Sequence, residues 1–130
     1  MKFSSLILLL FFYSISFAQN SVGIFENYAD IGKPKLAGSS QYDEVTQTYK
    51  IKGGGYNIWF NRDEFHYLYK RIKGDFILTA DFAFAREGGN GHKKTGWMIR
   101  ESLDDQAAGI NACAHEDGLI ALQWRPLQSY

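Results

Sequence analysis

Residues 75–85 alternate without a break. Phe76, Leu78, Ala80, Phe82 and Phe84 fall on one side of an extended chain; Ile77, Thr79, Asp81, Ala83 and Ala85 fall on the other. A period of two is the mark of a strand, and no segment after residue 18 keeps a helical period for ten residues. The same alternation recurs at about 37–42, 47–52, 57–60, 64–72, 96–103, 108–115 and 118–125. Between these runs stand Gly53, Gly54 and Gly55, then Lys73 and Gly74, residues 86–95, Asp104 and Asp105, and finally Glu116, Asp117 and Gly118. The last break carries the Asp-Gly of a tight hairpin turn. About eight short strands at this spacing predict an all-β sandwich, with 75–85 pressing an aromatic face into the core.

The first eighteen residues follow a different logic. Lys2 supplies a positive start, Leu6 to Phe12 is an unbroken apolar run, and Ser16 and Ala18 are small residues placed for a cut before Gln19. This is the pattern of a cleavable export signal. Tyr13, Ser14 and Ser16 interrupt the run, leaving it short of the roughly 20 apolar residues that span a bilayer. Residues 19–130 then form one domain, expected in the periplasm or secreted, with no membrane span once the signal is removed. Lys2 is the one charge removed, so the remainder carries 13 basic and 14 acidic side chains. A nearly neutral chain has no electrostatic reason to seek nucleic acid. The single cysteine, Cys113, excludes an intramolecular disulfide, and its alanine neighbours point to a buried, small hydrophobe.

No catalytic pattern is complete in the sequence. Residues 88–96 (GGNGHKKTG) resemble a phosphate loop, but Lys93 stands where glycine must precede the Lys-Thr pair. Residues 104–115 mimic a calcium loop only at Asp104 and Gly109; Gln106, Ala108 and His115 replace its oxygen ligands. His66, His92 and His115 lie far apart along the chain, so no metal site is expected. There is no Glu-x-Asp-x-x-Glu strand for sugar hydrolysis and no Gly-x-Ser-x-Gly elbow. No catalytic residue and no cofactor are expected.

A binding face is the better expectation. Met98, Arg100 and Ser102 share one side of a strand, Asn111, Cys113 and His115 one side of the next, and Ala121, Gln123 and Arg125 one side of the third. If the three strands are neighbours, Arg100, Asn111, His115, Gln123 and Arg125 make a polar patch able to hydrogen-bond sugar hydroxyls. The bland alternative is a solvated outer sheet face with no ligand. Trp59, in the dense segment 59–67, is a candidate stacking platform. The competing reading of that segment is a core-anchoring hairpin turning at Asn61, Arg62 and Asp63, with Arg62 paired to an acid.

The runs WFNRDEFHYLYKRIKGDFILTADFAF (59–84), GWMIRESLD (96–104) and AHEDGLIALQWR (114–125) resemble an exported bacterial family. In that family a concanavalin A-like jelly-roll domain of unknown function precedes a TolB-like β-propeller. The resemblance spans about residues 32–125 and implies a jelly-roll sandwich without established catalytic residues. No propeller repeats occur in this chain, and a two-sheet jelly roll uses more strands than residues 19–130 supply, so the domain is expected to be incomplete at its C-terminus. Three functions are therefore weighed: a lectin-like domain binding a glycan or other envelope component, an interaction domain docking on a β-propeller or envelope protein, and a glycan hydrolase whose carboxylates lie past residue 130.

Overall fold

Hydrogen-bonded ladders account for all the regular structure in the computed structural model, which describes residues 21–60, 62–86 and 90–126. The expected export signal lies outside those residues. No helix occurs among them, and none is therefore long and apolar enough to cross a membrane. The chain is all-β, and every ladder is antiparallel.

Strand β1 (Asn27–Ile31) pairs with β6 (Phe65–Tyr69), from Asn27 opposite Tyr69 to Ile31 opposite Phe65. Strands β2 (Ser39–Asp43) and β3 (Thr48–Lys52) form a hairpin. Its turn is built by Asp43, whose Oδ1 accepts from the amides of Val45 (2.9 Å) and Thr46 (3.2 Å). These two amides hold the Asp43 carboxyl below its ordinary pKa. Gln47 then turns the chain with φ 53°, in the left-handed region that disfavours a side chain. Gln47 is exposed. Gln47→Gly is therefore expected to stabilise the fold by about 0.5–1 kcal/mol, read as a rise in thermal midpoint.

Short strands β4 (Ile58–Trp59) and β5 (Arg62–Asp63) form a hairpin within the dense aromatic segment. Strands β7 (Lys94–Arg100), β8 (Gly109–His115) and β9 (Ile120–Arg125) make a meander. The turn expected at Glu116, Asp117 and Gly118 joins β8 to β9. Gly118 sits at φ 90°, and His115 N donates to Leu119 O at 2.8 Å. Three backbone rows run across this sheet: Met98–Asn111–Gln123, Arg100–Gly109–Arg125 and Gly96–Cys113–Ala121.

Two differences from the sequence reading have physical causes. The clearest alternation, 75–85, forms no strand. Alternation defines an extended chain with two faces; a strand also needs a neighbour whose N–H and C=O groups are free to pair. This segment meets the sheet through side chains instead. Phe82 packs edge-on against Trp97, ring centroids 6.1 Å apart, while Ile77 is open to solvent. Conversely, β1 carries Asn27 and Asp30, which masked its alternation. Asp30 is used structurally: it accepts from Gly38 N at 3.0 Å and meets His66 Nδ1 at 2.8 Å, and His66 Nε2 lies 2.9 Å from Ser40 Oγ. Burial raises the Asp30 pKa, but these hydrogen bonds outweigh it and hold the carboxyl below its ordinary value.

The meander is turned the other way from a half-solvated outer sheet. Its polar side faces inward, where Asn111, Cys113 and His115 are buried. Its apolar side carries Ile99, Ile110, Ile120, Leu122 and Trp124, all exposed. Cys113 is a buried thiol, as expected, and burial pushes its pKa up against a smaller opposing effect of Lys94. Ile31 is the other fully buried apolar side chain among the described residues.

Candidate functional site

The inward side of the meander is met by residues of the segments 57–60 and 62–67. Lys94 Nζ donates to Asn57 Oδ1 at 2.8 Å, and the Tyr67 hydroxyl donates to Met98 O at 3.0 Å. Burial pushes the Tyr67 hydroxyl pKa up, with Arg100 opposing. The centre of this contact is Asp63, 2% exposed. Arg125 grips it bidentately: Nη2 donates to Oδ1 at 2.6 Å and Nη1 to Oδ2 at 2.8 Å. Arg100 Nη1 reaches Oδ2 at 3.4 Å, with its side chain 2% exposed. Two guanidiniums thus share one carboxylate. Burial lowers the Arg100 pKa and Asp63 partly restores it, whereas the hydrogen bond to Asp63 raises that of Arg125.

Most remaining donors of the two arginines are committed to backbone. Arg125 Nε donates to Phe60 O at 3.0 Å and Nη1 to Ala107 O at 3.2 Å. Arg100 Nε donates to Ser102 O at 2.7 Å, and its Nη2 donates to Asp104 O. The arginines therefore hold the 102–107 loop and the β4–β5 hairpin in place around a cavity of about 350 Å³.

That cavity gathers Trp59, Arg100, Asn111, Gln123 and Arg125, five of the six residues singled out from the sequence. The sixth, His115, is on the same side of β8 but outside the cavity lining. Asn111 is 7% exposed; its Oδ1 and Gln123 Oε1 are buried and accept no hydrogen bond within the described residues. An unmet buried polar atom costs about 1–3 kcal/mol. The amides are thus the groups poised for a ligand, and the arginines position them.

The rim is aromatic. Trp59 is 49% exposed and lines the cavity with Phe60; Trp124 borders it along β9, with its side chain on the outer, apolar side of the sheet. Phe60 stands at φ 54°, uncommon for a bulky residue, with its ring edge-on to Trp59 at 5.4 Å. The expected core-anchoring hairpin needs correcting in this respect: the anchor is the Asp63 carboxylate, and Trp59 and Phe60 point outward. Arg62 does meet an acid, with Nε 3.5 Å from Glu64 Oε1.

Asp63 escaped the sequence reading because it was assigned to a turn; its place against Arg125 is a contact across 62 residues that no local pattern encodes. His92 and His115 are set aside in the sequence as too far apart for a metal site, and Asp117 reads there as a turn residue. The fold brings a ligand atom of each of the three within 4.8 Å of one another. Comparison with known proteins finds no matching family model, no matching curated protein and no matching solved structure.

Proposed function

We propose that this domain is a non-catalytic, lectin-like β-sandwich of concanavalin A-like jelly-roll type, exported to the periplasm or beyond, that binds a glycan end in the cavity between β4–β5 and the meander. The observation that carries this reading is the pairing of unmet Asn111 and Gln123 oxygens with the exposed indole of Trp59 in one cavity. Amides hydrogen-bond sugar hydroxyls, and indole faces cover the apolar side of a pyranose ring. A volume of about 350 Å³ lies at the small end of the range for small-molecule sites, about 300–1,000 Å³, and suits one or two rings.

Titration calorimetry across a panel of mono- and oligosaccharides tests it. A binder is expected, with Asn111→Ala or Gln123→Ala weakening it about tenfold or more, the loss of one satisfied buried polar contact. Absence of binding across a broad panel, or affinity indifferent to both changes, overturns the reading.

A second reading, an interaction domain docking on a neighbouring β-propeller or envelope protein, is favoured by the exposed apolar side of the meander. Contiguous apolar surface of this kind commonly marks an interaction site. Leu122→Lys separates the two: it leaves sugar binding intact under the first reading and removes partner docking under the second.

A further inference from the structure

We propose that His92, His115 and Asp117 form a binding site for a divalent transition ion of the zinc class, separate from the cavity. His115 ends β8 with its side chain inward. It is 7% exposed, yet neither Nδ1 nor Nε2 has a hydrogen-bond partner among the described residues. A neutral imidazole presents one donor and one acceptor. Leaving both unmet in a buried position carries a desolvation cost that a metal bond on one nitrogen would offset.

The two further ligands are already at hand. The His92 ring stands perpendicular to that of His115 with centroids 5.9 Å apart, and Asp117 Oδ2 lies 3.2 Å from His92 Nδ1. All three donor atoms fall within 4.8 Å of one another. Bonds of about 2.0–2.2 Å in a tetrahedral site hold ligand atoms about 3.3 Å apart. Closing the remaining gap falls to His92, whose side chain is 70% exposed.

The backbone beneath the ligands is tied together. Asp117 N donates to Gly91 O at 3.1 Å, and Glu116 N donates to Lys93 O at 3.2 Å. Lys93 N donates to Asn90 O at 2.9 Å, and Gly118 N donates to His115 O at 3.1 Å. These bonds lock the 90–93 loop onto the β8–β9 turn, so both pieces of chain that supply ligands form one frame, as a preorganised site requires.

The donor set selects the ion. Two imidazoles and one carboxylate suit zinc and its neighbours, whereas calcium and magnesium require oxygen throughout. Three protein ligands leave a fourth position for water. The nearby cations are engaged elsewhere: Lys93 Nζ is 2.6 Å from Glu116 Oε1, and Lys94 Nζ donates to Asn57 Oδ1 and His92 O.

The test uses the full chain without a histidine tag. Zinc chloride titration by calorimetry is expected to give one saturable site. Cobalt chloride should give the visible absorption bands of a four-coordinate ion. His92→Ala and Asp117→Asn change exposed side chains and leave the fold intact; each is expected to weaken zinc about tenfold or more. Calcium chloride should produce no competing signal. Absence of one-to-one zinc binding overturns the proposal. So does zinc affinity unchanged in both variants, or calcium displacing cobalt at equal concentration.

Discussion

Asp63→Ala is expected to lower the unfolding free energy by about 3–5 kcal/mol, the cost of removing one partner from a buried ion pair. The magnitude follows from what remains. Arg100 and Arg125 would face each other across a buried space with no carboxylate between them, and Arg100 has almost no access to water. A domain of this size has only about 5–15 kcal/mol to lose, so the variant would sit near the edge of folding. Asp63→Asn preserves shape while removing the charge, and should retain part of the hydrogen bonding but not the electrostatic balance. Arg62→Ala is the control, since Arg62 is 55% exposed and its 3.5 Å contact with Glu64 is solvated from the arginine side. Its loss should fall below about 1 kcal/mol. Urea unfolding of the three variants measures all of this; a midpoint for Asp63→Ala equal to that of Arg62→Ala would remove Asp63 from its central place.

Gly32→Ala is expected to cost about 2–5 kcal/mol, from two additive sources. Gly32 follows buried Ile31 at φ 70°, where a side chain costs about 1–2 kcal/mol. A Cβ there would also stand 2.2 Å from Asp63 O and 2.9 Å from Glu64 Cγ, so the β5–β6 junction must move. Overpacking of this kind adds about 1–3 kcal/mol. Gly118→Ala separates the two sources. Its φ is 90°, but a Cβ there meets nothing within 4 Å, so only the conformational part remains. Because the Gly32 clash falls on the backbone of Asp63, the Gly32→Ala/Asp63→Ala double variant should lose less than the sum of the singles. Strict additivity, read from the same urea curves, would show that Gly32 does not act on the Asp63 anchor.

Much of the secondary structure is legible in the sequence because turns announce themselves locally. Asp117–Gly118 and the glycines at 53–55 break the alternation where the ladders end. The rows Met98–Asn111–Gln123 and Arg100–Gly109–Arg125 follow from alternation once β7, β8 and β9 are neighbours, which is why most candidate site residues share one cavity. What alternation does not encode is which side of a sheet faces inward. Arg100, Asn111 and Arg125 look like a wet surface until Asp63 supplies a buried countercharge from 62 residues away in the chain. Residues 75–85 fail for the complementary reason, since the pattern is local and the pairing partner is not. His92 and His115 are remote in sequence; the β7–β8 ladder, which sets Lys94 opposite His115, and the hydrogen bonds from Glu116 and Asp117 to Lys93 and Gly91 bring them together.

The same long reach shapes how the chain acquires its fold. The meander can assemble from consecutive segments, each closed by a short turn. Even with the meander formed, the Asp63 clasp must close the 37 residues to Arg100, at an entropic cost of about 3 kcal/mol before any contact repays it. Because that cost precedes the reward, the clasp is expected to form after the meander. It would then act as a latch, with Asp63→Ala speeding unfolding more than it slows folding, as chevron kinetics would measure.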